Sequence, residues 1–169
     1  MHMKQVTRVL FVDFDGCLHP LSTGVASGES SLSTPHFGWL PALTELLHGH
    51  EDVAIVIHST WRYMYDVEEL RELLGSLGSR VVGVTPRGPR FDSILWWVYL
   101  SRCKNYRIID DDAGEFPDPP PPELILCCPL TGVSAPPVRA SLKRWLDEAQ
   151  PQVREGDEGK ATPPAGHGG

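Results

Sequence analysis

Five short apolar runs alternate with helical patterns along this sequence, and no other feature restricts the fold as strongly. The runs cover residues 9–13, 53–59, 80–84, 106–110 and 123–128. They are rich in Val, Ile and Leu and lack polar alternation, which is typical of parallel strands covered on both faces. The sequence therefore predicts a parallel sheet of about five strands.

Four helical patterns separate or follow these runs. They cover residues 40–48, 66–77, 91–102 and 138–149. In the third pattern, apolar residues recur from Phe91 to Val98 at the i, i+3, i+4, i+7 spacing of a buried stripe. Alternating strands and helices predict a three-layer, doubly wound, Rossmann-like α/β fold with right-handed crossovers.

The length of 169 residues suits one domain with a full core. We expect this domain to cover residues 1–150. From residue 151 onward Gly, Pro and charged residues dominate, so we expect a disordered tail over residues 151–169. The loop at residues 21–38 is long for a strand-to-helix connection, and long loops are usually functional or mobile.

Charge, cysteine spacing and hydropathy bear on location and partners. The apolar run after the polar first eight residues is too short for a signal peptide or a membrane span. The four cysteines show no CxxC spacing, which favours buried thiols in a reducing compartment. The formal charge of −7 does not suit a duplex-DNA binder. We expect a soluble, cytoplasmic protein with no membrane partner.

Acidic residues stand at the ends of the first and fourth runs. Asp13 and Asp15 end the first run, and Asp110, Asp111 and Asp112 end the fourth. In open α/β sheets, ligands bind beyond the carboxyl ends of strands, where the strand order reverses. If the two strands are neighbours, the clustered carboxylates need a hard divalent cation or raised pKa values. Oxygen ligands favour Mg²⁺, whereas Zn²⁺ lacks a suitable Cys/His set.

The Asp13-x-Asp15 spacing suits phosphoryl transfer. Residues i and i+2 of an extended chain lie on one side, roughly 6–7 Å apart. One carboxylate can therefore attack phosphorus while the other reaches the leaving group or the water, and Gly16 permits a tight turn near a phosphate. Carboxylate nucleophiles of this kind form aspartyl-phosphate intermediates.

A phosphate cradle is predicted after the second run. Ser59 ends that run before a helical segment, where a hydroxyl and backbone N–H groups together bind phosphate. Arg87 and Arg90 precede the helix that leads to the fourth run, and either supplies the balancing positive charge. The candidates for substrate binding are Gly16, Thr60, Arg62 and Arg87.

These residues resemble the motifs of the haloacid dehalogenase (HAD) superfamily of phosphohydrolases, over about residues 8–146. Asp13-Phe14-Asp15-Gly16 is similar to motif one, Ser59 to motif two and the Asp110-Asp111 pair to motif four. Motif three is a lone Lys or Arg, for which we prefer Arg90 over Arg87 and Lys104. The Ser59-Thr60-Trp61-Arg62 sequence and the Thr131-Gly132 turn further resemble the HAD domains associated with Swiss-army-knife RNA repair proteins.

The resemblance implies a role for each motif. Asp13 would attack the phosphoryl group, and Asp15 would protonate the leaving oxygen and later activate water. Ser59 and Arg90 would hold the phosphoryl oxygens.

The resemblance also implies where Mg²⁺ would bind. The ligands would be the Asp13 side chain, the Asp15 carbonyl and an acid of the fourth motif. We prefer Asp111 as the direct ligand, with Asp110 supporting it.

The resemblance implies no large cap domain, and capless members often act on large substrates such as protein or nucleic-acid ends. Between Arg80 and Arg107 there are six basic residues and one acidic residue. Such a segment could steer a polyanion to the site, although solvated helix faces explain it nearly as well. RNA or DNA ends are therefore candidate substrates. The alternative is a catalytically degenerate domain that binds phosphate or a protein partner without turnover.

Three other side chains near the motifs receive no catalytic role at this stage. We expect His58 to pack beneath the site and His19 to be an exposed loop histidine. We expect Trp61 to contribute packing rather than base stacking.

Overall fold

The computed structural model describes residues 6–21 and 37–148. The predicted tail lies outside these residues, as does most of the predicted long loop.

All five predicted strands are present and form one parallel sheet. The strands are β1 Arg8–Val12, β2 Val53–Ile57, β3 Val81–Val84, β4 Tyr106–Asp110 and β5 Leu124–Leu126. The order β3-β2-β1-β4-β5 places β1 at the centre. The chain builds the sheet outward from β1 to β3 and then crosses to β4, so the strand order reverses between β1 and β4. The predicted doubly wound α/β fold is confirmed.

Helices cover both faces of the sheet. They are α1 Leu40–Leu47, α2 Val67–Leu73, α3 Arg90–Ser101 and α4 Pro136–Asp147. α1, α2 and α4 pack on one face, over a core that includes Leu10 and Val12 of β1. Among the described helices, α3 packs on the other face, over a smaller core that includes Phe11. No helix among residues 6–21 and 37–148 is both long and apolar enough to cross a membrane.

Several element ends differ from the sequence prediction. β2 ends at Ile57 rather than at residue 59, because Ser59 caps the 3₁₀ turn Thr60–Tyr63. α2 ends at Leu73, and Gly75 then adopts a positive φ of 53° at the start of the 3₁₀ turn Gly75–Arg80. No large cap domain is present among the described residues, which agrees with the prediction.

Candidate active site

Strand register brings three side chains together at the carboxyl-terminal end of the sheet, where its parallel strands end. In the two parallel ladders, Val12 of β1 pairs with Ile57 of β2 and with Ile109 of β4. The next residues along these strands are Asp13, His58 and Asp110, so they lie side by side. Successive side chains alternate between the faces of a sheet. All three therefore share the face on which α3 packs.

Arg90 completes this group from the first turn of α3. Its Nη1 lies 2.9 Å from Oδ1 and 3.0 Å from Oδ2 of Asp110. The same nitrogen is 3.6 Å from Oδ2 of Asp13. One guanidinium thus bridges the acids that end β1 and β4. Arg90 is the motif-three candidate that the structure brings to these acids, since Arg87 instead lies over the Tyr63 ring.

Asp110 is fully buried and its carboxylate is engaged on both oxygens. Besides Arg90, it accepts hydrogen bonds from His58 Nε2 at 2.8 Å and from the Asp112 backbone N–H at 2.9 Å. Burial alone would raise the pKa of Asp110, but these donors and the nearby positive charge outweigh it and lower that pKa. Asp110 is therefore an ionised anchor for Arg90.

His58 lies beneath the acids, as the sequence predicted. Burial lowers the pKa of His58, although Asp110 opposes this shift, so the ring is neutral. Its Nε2–H donates to Asp110, while Nδ1 has no hydrogen-bond partner among the described residues.

Asp111 turns away from Asp110 and lies against Gly16. Gly16 has a φ of 75°, and a Cβ atom at this position would overlap the Asp111 carboxylate. Ligand atoms of Asp13, Asp111 and Cys17 all lie within 4.8 Å of one another. Because Gly16 has no side chain, Asp111, which follows β4, can approach Asp13, which follows β1.

When Asp13, Asp110 and Asp111 are all ionised, their negative charge exceeds the positive charge of their protein partners. Burial raises the pKa of Asp13 to about 8, with Asp110 and Asp111 adding to the shift and Arg90 opposing it. Burial and the charge of Asp110 also raise the pKa of Asp111. Among the described residues, only one cation, Arg90, contacts these three acids. A bound divalent cation would supply the charge that is lacking.

The donor set fits a hard cation. Burial raises the pKa of Cys17 well above its usual value, and Cys127 beside it adds to the shift, so the thiol stays protonated and is a poor ligand. The remaining ligand atoms are the carboxylate oxygens of Asp13 and Asp111. Oxygen ligands of this kind suit Mg²⁺.

Asp15 lies at the open side of the site, with 32% of its side chain exposed. Its Oδ1 is 2.7 Å from His19 Nε2, and its Oδ2 accepts a hydrogen bond from Trp61 Nε1 at 3.1 Å. The turn at Gly16 returns the chain so that His19 comes back beside Asp15, where the two residues form a bridge. His19 is 5% exposed, so the prediction of an exposed loop histidine is wrong.

Ser59 follows His58 at the carboxyl end of β2. It is buried, and its Oγ accepts a hydrogen bond from the Trp61 backbone N–H at 3.3 Å. No hydrogen bond donated by this hydroxyl is found among the described residues. Thr60, the next residue, is exposed at the start of the 3₁₀ turn.

Comparison with known families agrees with this geometry. Residues 9–138 match the family described as the HAD domain in Swiss Army Knife RNA repair proteins. The chain belongs to this HAD family. Comparison with curated proteins gives no match.

Arg62 connects the segments that follow β2 and β3 at the rim of the site. Its Nη1 donates to the carbonyls of His58 and Ser59 at 2.5 and 2.9 Å, and its Nε donates to the Thr85 carbonyl at 3.1 Å. Its Nη2 donates to Tyr63 Oη and to the Pro86 carbonyl. These contacts tie the end of β2 to the end of β3. They leave no N–H for a substrate, which corrects the sequence assignment of Arg62 to substrate binding.

The basic segment does not converge on the HAD site. Arg87 and Arg90 lie at the carboxyl edge of the sheet, at or before the start of α3. The other four basic residues lie at the amino-terminal end of the sheet, before or at the start of β3 and β4: Arg80, Arg102, Lys104 and Arg107. Arg80, for example, donates to the carbonyls of Leu47 and Val53. The local positive charge in the sequence is therefore divided between the two ends of the domain.

His19 and Trp61 are the site residues that sequence reasoning missed. The i, i+4 spacing of Asp15 and His19 was the available signal, but it points to contact only in a helix or a tight turn. Gly16, which comes directly after Asp15, indicates that such a turn begins there.

Proposed function

We propose that this chain is a Mg²⁺-dependent phosphomonoesterase that acts through an aspartyl-phosphate on Asp13. The observation that supports this most directly is the meeting of Asp13, Asp110, Asp111 and Arg90 where the strand order reverses. Membership of the HAD family supports a phosphohydrolase in general.

In the first step, a carboxylate oxygen of Asp13 attacks phosphorus, and the bond from phosphorus to the leaving oxygen breaks. Asp15 gives its proton to that oxygen. In the second step, Asp15 takes a proton from water as the water oxygen attacks phosphorus. The bond to Asp13 then breaks, releasing inorganic phosphate and restoring both carboxyl groups.

The phosphoryl oxygens would be held from two sides. The Ser59 hydroxyl would donate its proton to a phosphoryl oxygen, and Arg90, whose Nη1 lies 3.6 Å from Asp13 Oδ2, would donate from its other nitrogens. Gly16 and Thr60 would line the substrate's approach, and Arg87 at the rim would contact more distant parts of the substrate. Asp110 would fix Arg90 rather than contact substrate, since its oxygens are already engaged.

The metal ligands would be the Asp13 and Asp111 carboxylates and the Asp15 backbone carbonyl, with Asp110 in support. Bound Mg²⁺ neutralises phosphoryl charge as a Lewis acid.

Turnover of an aryl phosphate by purified protein tests the proposed activity. We expect Mg²⁺-dependent hydrolysis that a chelator abolishes and that Asp13→Asn reduces at least about 100-fold, because the covalent step is lost. Asp112→Asn is the matched control, because Asp112 is exposed and its carboxylate accepts only from the Gly114 backbone among the hydrogen bonds described. Activity that survives both Asp13→Asn and chelation would contradict the mechanism. Mg²⁺ binding without turnover of any phosphate ester would favour a degenerate binding domain instead.

We propose nucleic-acid ends as the substrate class. Exposed aromatic side chains stand at the rim, with Tyr63 38%, Tyr65 40% and Trp96 55% exposed. Arg87 lies over the Tyr63 ring, 4.6 Å from its centroid, and lines a shallow pocket with Trp96. Bases of single-stranded ends stack on exposed aromatic rings of this kind. The family description, with its reference to RNA repair, supports the same class.

Competing substrates test this class. We expect end-phosphorylated RNA or DNA to have a higher kcat/KM than free nucleotides, with a preference that weakens as salt rises. Trp96→Ala should reduce the preference without changing aryl phosphate turnover. A preference for free nucleotides would contradict the assignment.

A further inference from the structure

We propose that His19 and Trp61 are positioning residues that hold the Asp15 carboxyl group for proton transfer with the leaving oxygen. This inference rests on the proposed function, because it assigns a task to the acid–base group of that mechanism.

Both oxygens of Asp15 are fixed by side-chain N–H groups. His19 Nε2 lies 2.7 Å from Oδ1, and Trp61 Nε1 donates to Oδ2 at 3.1 Å. Two bonds to different oxygens fix the plane of the carboxyl group as well as its position. Each carboxylate oxygen has two lone pairs, so one on each oxygen stays available on the exposed side. The arrangement therefore orients Asp15 without blocking its contact with substrate or water.

The tautomer of His19 follows from its second contact. The backbone N–H of Phe37 donates to His19 Nδ1 at 3.4 Å, so Nδ1 presents a lone pair. In a neutral imidazole the proton then lies on Nε2, and His19 donates to Asp15. Phe37 has a positive φ of 63°, a conformation that L-residues rarely adopt.

An aromatic cluster restricts the motion of both donors. The Trp61 ring contacts the rings of Phe14, His19 and Phe37 at centroid distances of 5.6, 5.4 and 5.5 Å. The His19 ring also meets Phe37 edge to face at 5.0 Å. Phe14 and Phe37 are buried, so the cluster is part of the core beneath the site. Donors that are fixed by packing hold a catalytic group more accurately than donors on a free loop.

A purely structural role for these contacts predicts a different result from a positioning role. If Asp15 only satisfies a half-buried indole N–H, removing that N–H lowers stability and affects all substrates alike. If the contact orients an acid, its loss slows the reactions that depend on protonation of the leaving oxygen. Alkyl phosphates need that proton more than aryl phosphates with an acidic leaving group, because an alkoxide is much the more basic leaving group.

The test is the leaving-group dependence of Trp61→Phe. This variant keeps an aromatic ring in the cluster and removes only the N–H that Asp15 accepts. We expect kcat/KM on an alkyl phosphate to fall roughly 10-fold or more and kcat/KM on a nitrophenyl phosphate to fall less than about 3-fold, within the range of general acid catalysis. This ratio reports the steps up to departure of the leaving group, so hydrolysis of the aspartyl-phosphate, which is common to both substrates, does not enter it.

Trp145→Phe is the matched control. Trp145 is a buried indole, and its Nε1 donates to Asn105 Oδ1 at 2.8 Å, near the amino-terminal end of the sheet, away from the site. We expect this variant to lower stability and to leave the ratio of the two kcat/KM values unchanged.

Replacing His19 gives an independent measurement. His19→Gln retains an N–H donor in a similar position, whereas His19→Ala removes it. We expect the alanine variant to show the same leaving-group effect as Trp61→Phe and the glutamine variant to restore part of the lost alkyl phosphate activity.

The outcomes separate this inference from the proposed function. In Trp61→Phe, equal losses of kcat/KM on both substrates, no loss, or a gain would overturn the positioning role while Asp13-dependent turnover persists. If Asp13→Asn leaves turnover intact, the proposed function itself fails.

Discussion

At the scale of single residues, the site depends on one close approach that only glycine permits. The Asp111 carboxylate occupies the space where a Cβ atom of residue 16 would lie. This approach places the carboxylate of Asp111, rather than that of Asp110, among the candidate metal ligands beside Asp13. Asp110 is left to hold Arg90 and to accept from His58.

Gly16→Ala tests this close approach. The added methyl group should displace Asp111, lower Mg²⁺ affinity and reduce kcat/KM by roughly 10-fold or more, since small displacements of catalytic groups have effects of that order. Gly49→Ala is the matched control, because Gly49 also has a positive φ, 83°, but nothing lies within 4 Å of its Cβ position. Both variants should lose about 1 kcal/mol of stability from backbone strain. Equal activities of the two variants would contradict the role of Gly16.

The clustered acids were predictable at this scale, and the residues that contact Asp15 were not. Asp13 and Asp110 follow apolar strands, and parallel strands bring their carboxyl ends to one edge. The contact of His19 with Asp15 depends on a tight turn and on burial by Phe37, which comes 18 residues later in the chain. Local sequence does not specify such a contact.

At the scale of elements, the ends of helices and strands are set by caps rather than by apolar patterns. The sequence located every strand because each is an apolar run. It overextended β2 and α2, because the cap at Ser59 and the left-handed Gly75 end these elements inside the apolar patterns. α2 begins at a complete capping box, in which the Asp66 side chain accepts from the Glu69 N–H and the Glu69 side chain accepts from the Asp66 N–H.

Asp66→Ala tests the contribution of this cap to α2. The substitution leaves the Glu69 N–H without its partner, and we expect the free energy of unfolding to fall by about 1 kcal/mol. Because α2 contributes no residue to the site, kcat and KM should stay unchanged. Urea denaturation and aryl phosphate kinetics measure the two effects. A loss of activity in a folded variant would mean that α2 is coupled to the site.

At the scale of the whole molecule, Arg8 connects the sheet to the last helix. Its Nε and Nη2 donate to Asp52 at 2.8 and 3.1 Å, before β2, and its Nη1 donates to the carbonyls of Trp145 and Leu146 in α4. The hydrogen bonds from Arg8 lower the pKa of Asp52 to about 2, although partial burial opposes this shift. The amino-terminal end of the sheet, away from the site, thus holds an ion pair that responds to pH.

The depressed pKa of Asp52 makes this contact lose strength in acid. The stabilisation is present above the unfolded pKa near 3.8 and is lost as pH falls through the folded value of about 2. We expect the free energy of unfolding of the wild type to be roughly 1–2 kcal/mol higher than that of Asp52→Asn at neutral pH, after allowance for solvent screening. This difference should shrink below about pH 4. Asp147→Asn, in the exposed pair with Lys143, should show little effect. A difference that stays constant from pH 7 to pH 2 would contradict this account.

The distribution of charge is also a property of the whole molecule, and the sequence alone did not predict it. The segment from Arg80 to Arg107 has an excess of basic residues. β3 ends and α3 begins at the carboxyl-terminal end of the sheet, where the site lies. α3 ends and β4 begins at its amino-terminal end. The fold therefore separates residues that are neighbours in the chain and leaves Arg87 and Arg90 at the site.

The most direct test of the central claim is a titration with Mn²⁺ followed by electron paramagnetic resonance, since Mn²⁺ takes the same oxygen ligands as Mg²⁺. If the acids that follow β1 and β4 share one cation, the wild type binds one ion per chain, and Asp13→Asn and Asp111→Asn each weaken binding at least about 10-fold. Asp112→Asn, the exposed control, should bind as the wild type does. Unchanged affinity in either of the first two variants would contradict a shared site.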